Sequence, residues 1–327
     1  MSYLRSVIKK LGAIVKILIV CLAFTSCERE LDLTLDSGDP KVVVEASIEN
    51  GDFPRVVLTN STGFFDKIDI SSLKFVTGAT IKVTDLNTGY VIPLIEYNFK
   101  FPTGQGTDSV SYTAYAPNFL AQPYDSIIGQ LEHSYKLDIV SNGKTYSAVT
   151  KIPNCKTPVF DSIWLQPENP SDPNDSAMEI RLIYDEPDTL GNYNRYSTQV
   201  LRQYKKDHLD EEFLTTFGSV INDKFTNGQR LPFTLDLGYS RRFSFADSVQ
   251  RRYLFEQQEI YPGDTVNIRW MPIDYNTYTF WETLEYSRNS TGNPFAAPTK
   301  LYGNISGGAV GYWGGYGTRI ITIIAPK

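Results

Sequence analysis

The stretch "ATIKVTDLNTGYVIPL", residues 79–94, decides the fold class of this chain. Ile81 and Val83 alternate with polar residues, which is the two-residue period of a strand that has one face in water. Asn87, Thr88 and Gly89 follow, and these residue types favour a tight turn before the next apolar run. The stretch therefore predicts a β-hairpin with one buried face.

Similar runs recur along the chain and extend this prediction to the whole fold. They include "KVVVEASI" at 41–48, "SYKLDIVSNGKTYSAVTKIP" at 134–153 and "GDTVNIRWMPI" at 263–273. The 21 Tyr and 18 Phe suit the half-buried surface of strands, and the 23 Gly and 18 Pro suit the turns between them. We therefore expect an all-β protein built from short strands.

One segment has a helical period instead. In "DYNTYTFWETLEYSRNS", residues 274–290, Tyr275, Tyr278 and Trp281 recur at three-residue steps, and Leu284 extends the row. Asp274 stands where a side-chain oxygen can cap the first turn. We expect a helix near 274–289 that packs its aromatic face on a sheet.

The N-terminus has the order of an export signal. Basic residues precede the apolar run 17–24, which is too short to cross a membrane, since a spanning helix needs about 20 apolar residues. Phe24-Thr25-Ser26-Cys27 then resembles a lipobox, the bacterial site of lipid attachment and cleavage. The resemblance implies a signal peptide at 1–26 and a lipid-bearing Cys27; the alternative is a buried core thiol.

Residues 27–40 are expected to form a tether. Glu28, Glu30 and Asp32 make it acidic, which resembles the surface-export signal of Bacteroidota lipoproteins, although an ordinary solvated tether has the same composition. Loss of 1–26 removes four of the 31 basic residues and no acids, so the formal net charge moves from −6 to −10. Such a chain is unsuited to binding phosphate backbones, and we expect no nucleic-acid partner.

The length of the remaining chain and its prolines predict two domains. After the signal, 301 of the 327 residues remain, which exceeds the usual size of one domain. "PNCKTPVF" at 153–160 is proline-flanked and separates two sets of strand-like runs. We expect two β-sandwich-like (Ig-like) domains, at 41–153 and 157–327, with the helix in the C-terminal domain.

Few residues in the sequence suit catalysis. The chain has two histidines, His133 and His208, and neither belongs to a zinc-binding or nucleophile motif. Cys155 is the one cysteine left after the signal and Cys27, and lone cysteines are mostly small buried hydrophobes. We therefore predict no catalytic residue, no enzyme activity, no metal and no cofactor apart from the acyl lipid on Cys27.

Two groups of residues are candidate binding sites. Asp172, Asn174 and Asp175 offer oxygen ligands for a cation such as calcium, with a plain surface loop as the alternative. Trp313 and Tyr316 lie among glycines in "GGAVGYWGGYG" and are candidates for stacking on a ligand, with burial in the core as the alternative. The glycines themselves are expected at points of close packing.

Nearly all of the chain after residue 26 resembles a family of Bacteroidota envelope lipoproteins known as domain of unknown function 4249, and the C-terminal part does so most specifically. The similar motifs are Gly-Asp-x-Val at 263–266, Asn-Pro-Phe at 293–295 and Asn-Ile-x-Gly-Gly-x-x-Gly at 304–311. The resemblance implies an envelope lipoprotein often encoded beside a TonB-dependent outer-membrane receptor. It implies no catalytic residue.

These observations together lead to one functional hypothesis and its alternatives. We expect an outer-membrane lipoprotein, facing the cell surface or the periplasm, that serves as a non-enzymatic accessory or ligand-capturing subunit of a TonB-dependent uptake system. Its ligand would be a small molecule such as a glycan or peptide. The alternatives are a structural or adhesive surface lipoprotein and a hydrolase.

Overall fold

The structure is a computed structural model, and Pro40–Lys327 forms one compact unit in it. The residues that it describes are 39–61, 73–102, 109–121, 126–154, 162–171, 177–204, 212–216, 218–243, 253–290 and 300–327. The predicted signal peptide, the lipid-bearing Cys27, nearly all of the tether and Cys155 lie outside these ranges.

Just over half of the described residues lie in strands. The strands are β1 (Val42–Glu49), β2 (Arg55–Asn60), β3 (Thr80–Asp85), β4 (Val91–Pro102), β5 (Ser109–Ala116), β6 (Ser134–Ser141), β7 (Lys144–Lys151), β8 (Ser162–Pro167), β9 (Met178–Asp185), β10 (Tyr193–Leu201), β11 (Val220–Asn222), β12 (Arg230–Leu235), β13 (Tyr239–Phe243), β14 (Tyr253–Gln257), β15 (Thr265–Ile273), β16 (Val310–Tyr316) and β17 (Arg319–Ile324). Within these ranges one helix occurs, α1 (Tyr275–Ser290). The predicted all-β class with a single helix is confirmed.

The hairpin predicted from residues 79–94 is present as β3 and β4. Ile81 pairs with Leu94 across the two strands, and Ile81 and Val83 are both buried. The turn closes with a hydrogen bond from the Gly89 N–H to the Asp85 carbonyl oxygen at 2.8 Å. Gly89 has a φ of 75°, a value that residues with side chains rarely adopt.

One large sheet runs through the whole compact unit. Its twelve strands lie in the order β11-β10-β15-β16-β1-β2-β5-β4-β3-β6-β7, with β17 pairing beside β15. Two smaller sheets accompany it, β12-β9-β8 and β13-β14. Strand β1 is held between β2, which is antiparallel, and β16, which is parallel.

The pairing of β1 with β16 joins the two segments that the sequence predicts as separate domains. Val43 lies opposite Val310, and the register continues to Glu49 opposite Tyr316. The segment 300–316 thus packs with the first predicted domain, although it belongs by sequence to the second. The division at 153–157 stays a prediction. Because strand β16 pairs with β1 of the first predicted domain and with β15 of the second, a single cut in the chain cannot keep all of its contacts within one domain.

Three groups of buried apolar side chains hold the unit together. The first core is formed by strands β1 to β7 together with Trp313 of β16. The second core lies between the three-stranded sheet and strands β10, β15 and β17. The third core lies beneath the helix and contains Phe280, Tyr312 and Tyr316.

Glycines allow the C-terminal segment to approach its neighbours closely, as the sequence predicts. Gly311 has a φ of 118°, and a Cβ there would lie 1.9 Å from the Val44 carbonyl oxygen. At Gly315 a Cβ would lie 2.4 Å from the carbonyl oxygen of Lys151. Neither position has room for a side chain, so these two glycines are required for the strand to seat against β1 and β7.

The helix begins at the predicted cap. Asp274 Oδ1 accepts the Thr277 N–H at 2.8 Å, which satisfies one of the free donors of the first turn. The predicted packing face is only partly right, because Tyr278 is buried whereas Tyr275 is 59% exposed. Phe280, which the three-residue row leaves out, is buried instead and packs on Tyr312 with ring centroids 4.5 Å apart.

Candidate functional site

The Gly-Asp motif at 263–264 serves the fold. The buried Asp264 carboxylate accepts hydrogen bonds from Arg202 Nη1 at 2.8 Å and from the N–H groups of Gln203 and Tyr261, both at 3.0 Å. Gly263 sits at the turn with a φ of 86°. This motif therefore fixes the turn that enters β15.

The Asn-Ile-x-Gly-Gly motif at 304–308 also has a structural role. Asn304 Nδ2 donates to the Trp313 carbonyl oxygen at 2.8 Å, and Asn304 Oδ1 accepts the Trp313 N–H at 2.9 Å. The next turn is tied to β7, where the Ser306 N–H donates to the Ser147 carbonyl oxygen at 2.8 Å. These hydrogen bonds fix the segment before β16 to Trp313 and to β7, both of which belong to the first core.

The two predicted stacking residues lie inside this arrangement. Trp313 is 0% exposed, and its indole Nε1–H donates to the Tyr135 carbonyl oxygen at 2.9 Å. Tyr316 is 4% exposed, and its hydroxyl accepts the Trp281 Nε1–H at 2.8 Å. The structure places neither ring where a ligand from solution can stack on it. The physical reason is that the surrounding glycines bring neighbouring backbones close to the rings.

The predicted cation loop, with Asp172, Asn174 and Asp175, lies outside the described residues. Among the residues that are described, no group of three or more His, Cys, Asp or Glu side chains is arranged to hold a metal ion.

A cavity of about 420 Å³ lies where the end of β7 meets the ends of β9 and β15. Its wall on the β7 side is made by Glu132, Lys151, Pro153 and Asn154. The opposite wall is made by residues 184, 186–187 and 191–194 and by 272–275 at the start of the helix. The volume falls within the range of about 300–1,000 Å³ that is usual for small-molecule sites.

A buried carboxylate is part of the cavity lining. Glu186 is 6% exposed, and its Oε1 accepts a hydrogen bond from Asn192 Nδ2 at 2.9 Å. Burial raises the pKa of Glu186 above its usual value; the hydrogen bonds from Tyr184 and Asn192 oppose this shift, and the nearby Asp223 carboxylate adds to it. Burial and the bond to Glu186 likewise raise the pKa of Tyr184.

The β7 side of the cavity carries an ion pair and a bridging carboxylate. Lys151 Nζ lies 2.6 Å from Glu132 Oε2, so the ammonium group that the described part of the chain places in the lining is already paired. Asp274 Oδ2 accepts the Thr150 hydroxyl at 2.7 Å and the Lys151 N–H at 3.0 Å. Asp274 therefore caps the helix and at the same time fastens it to β7, which fixes the two walls relative to each other.

Tyrosine rings form the aromatic part of the lining. The ring centroid of Tyr193 lies 5.5 Å from that of Tyr275 and 4.9 Å from that of Tyr278. Tyr275 stands at the rim, where more than half of its surface is exposed. The cavity thus combines carboxylates, amides and aromatic faces, which suits it to bind a small polar molecule.

Sequence reasoning missed this cavity. Its central residues come from "YDEPDTLGNYN", residues 184–194, where acidic residues stand in a loop between two strands. That loop carries Pro187 and Gly191, so its turn character was readable. Its position in the same cavity as Lys151 and Asp274 was not readable, because these residues are far apart in the chain.

A second surface feature lies on the β4–β5 hairpin. An aromatic row runs along one face and consists of Tyr97, Phe99, Phe101 and Tyr112. The ring centroid of Phe99 lies 6.4 Å from that of Tyr97, 6.3 Å from that of Phe101 and 6.4 Å from that of Tyr112. Phe99 is 45% exposed and Phe101 is 55% exposed, so the row faces solvent.

These features define an all-β protein that closes its first core with a C-terminal strand and encloses a polar cavity between its segments. The chain belongs to the family described as Domain of unknown function (DUF4249), whose model matches residues 28–320. Among curated proteins no match to the chain is found. Within the described ranges, no helix has the length and apolar character needed to cross a membrane.

Proposed function

We propose that this protein is a lipid-anchored outer-membrane protein that captures a small ligand for a TonB-dependent uptake system. It acts without catalysing a reaction, and its acyl chains are attached at Cys27. The cavity is the observation that carries the proposal, because it is large enough for a small molecule and offers carboxylate, amide and aromatic groups together.

The family and the N-terminal sequence support the location. The resemblance of 24–27 to a lipobox implies a lipid anchor, and two or more acyl chains are enough for stable membrane attachment. The contacts of Asp264 and Asn304 account for two of the family motifs as structural features. These two motifs are thus explained by the fold, and the cavity is the feature that we assign to ligand binding.

Affinity purification from detergent-solubilised membranes tests the partnership. We expect a β-barrel receptor to co-purify with the tagged full-length protein, and we expect membrane attachment to be lost in the Cys27→Ala variant. Recovery of the lipidated protein without any barrel protein would refute the uptake role.

The aromatic row favours a second candidate function, which is adhesion at the cell surface. Solvent-facing rings in a continuous row are typical of a surface that contacts another molecule. A deletion strain separates the two functions. Lost growth on one nutrient supports ligand capture, whereas lost adhesion with normal growth supports the second candidate.

A further inference from the structure

We propose that the cavity recognises an ammonium group carried on a polar ligand, either the amino terminus of a short peptide or an amino sugar. The inference rests on the proposed ligand-capturing function and names the chemistry that this capture uses. Charge, aromatic faces and the state of the helix N-terminus each support it.

The lining of the cavity is negatively charged. Among the described residues of the lining, Glu132, Glu186 and Asp274 are carboxylates and Lys151 is the only cation, so their formal charge is −2. Lys151 is paired with Glu132, which leaves the other two carboxylates without a cation from the lining. The described residues include no cation in an ion pair with Glu186. A cationic ligand group would supply the missing positive charge.

Glu186 is the carboxylate best placed to receive that group. It is buried and held by neutral hydrogen-bond donors, the hydroxyl of Tyr184 and the amide of Asn192. The buried Asp223 carboxylate lies behind Asn192 and accepts its backbone N–H at 2.9 Å. A buried carboxylate costs free energy unless it is paired, so an ammonium ligand would gain from both the charge and the low local dielectric.

The tyrosines provide the second element of recognition. Tyr193 and Tyr275 both line the cavity, and their rings lie 5.5 Å apart at an angle of 56°. The negative faces of aromatic rings attract cations within about 6 Å, and aromatic rings are used to recognise ammonium ligands. A neutral sugar ring would use the tyrosines but would leave the charge of Glu186 unpaired.

The N-terminus of helix α1, which lines the cavity, does not make the cavity prefer an anionic ligand over a cationic one. The free N–H groups of a first turn favour an anion. At α1, Asp274 already accepts the Thr277 N–H and two donors from β7. The carboxylate of the chain itself therefore occupies the place that an anionic ligand would take.

Paired probes test the inference by calorimetry on the full-length protein in detergent. One pair is the tripeptide amide Ala-Ala-Ala-NH₂ and its N-acetylated form. The other pair is the glucosamine disaccharide and its fully N-acetylated form. Acetylation removes the positive charge and keeps the body of the ligand, and the two pairs separate the peptide source from the sugar source.

We expect the free-amine member of one pair to bind at least about 30-fold more tightly than its acetylated form, the effect of losing one partner of a buried charge pair. Glu186→Gln should remove that preference, whereas Glu168→Gln, at an exposed position outside the cavity, should keep it. Tyr275→Leu, at the exposed rim, should weaken binding about two- to fivefold without affecting the fold.

Each outcome bears on the inference. Equal binding of the free and acetylated members overturns ammonium recognition while leaving ligand capture intact. Absence of binding by all four probes overturns it as well. Recovery of a β-barrel receptor from the same preparation reports separately on the proposed uptake role.

Discussion

Replacing Trp313 with alanine tests whether a C-terminal residue completes the first core. The side chain is fully buried among residues of β1 to β7, and its Nε1–H donates to the carbonyl oxygen of Tyr135. Removing a buried Trp side chain costs about 3–5 kcal/mol of unfolding free energy, since a cavity remains in place of the ring. Trp313→Phe keeps an aromatic ring and loses the hydrogen bond and some volume, so we expect a cost of about 1–3 kcal/mol.

Urea unfolding gives the free energies, and hydrogen exchange locates the loss. The hydrogen bond joins residues 178 positions apart, so the amides of β6 should lose protection although the substitution lies in β16. Trp164→Phe is the matched control, because Trp164 lies on β8 and is 39% exposed. Its cost should stay within about 0.5 kcal/mol. A loss below about 1 kcal/mol for Trp313→Ala, or faster exchange confined to β9 and β10, would refute the reasoning.

Three further predictions follow from single contacts. Asp274→Ala removes the acceptor of three donors and should cost about 2–4 kcal/mol in urea unfolding, whereas Asp138→Ala, which breaks a surface ion pair, should cost less than about 1 kcal/mol. Gly311→Ala should destabilise by at least about 2 kcal/mol because the new Cβ meets a carbonyl oxygen. Gly308→Ala, with positive φ and open space, should lose less, and equal losses would contradict the steric explanation. Because burial raises the pKa of Glu186, the contribution of this group to stability falls as pH rises from about 4.3, the unfolded value, through the folded value. Glu186→Gln should lack this loss, so identical unfolding midpoints of the two proteins at both pH 4 and pH 7 would contradict it.

Local features of the fold were readable from the sequence. The hairpin at 79–94 has its own alternation and its own turn residues, and the helix has its cap at Asp274. Each of these signals lies within about 16 residues of chain, so no distant contact is needed to interpret it. The all-β class follows from the repetition of such signals.

Distant pairings left no comparable signal. Val43 and Val310 are partners in adjacent strands, yet the sequence around neither residue indicates that it pairs with the other. The same limit explains why the sequence left two possibilities for Trp313, stacking on a ligand or burial in the core, since the choice depends on the neighbouring strands. The cavity depends on four separate stretches of chain, and its acidic residues are individually ordinary in an acidic protein.

The parallel pairing of β1 with β16 has a consequence for how the protein is made. A ribosome or a translocon delivers the chain from its N-terminus, so β1 emerges first and its partner strand emerges about 270 residues later, counting from Val43 to Val310. Contacts of such high contact order form slowly, because the cost of closing the loop precedes the gain from pairing. The first core thus stays incomplete until almost the entire chain has been synthesised.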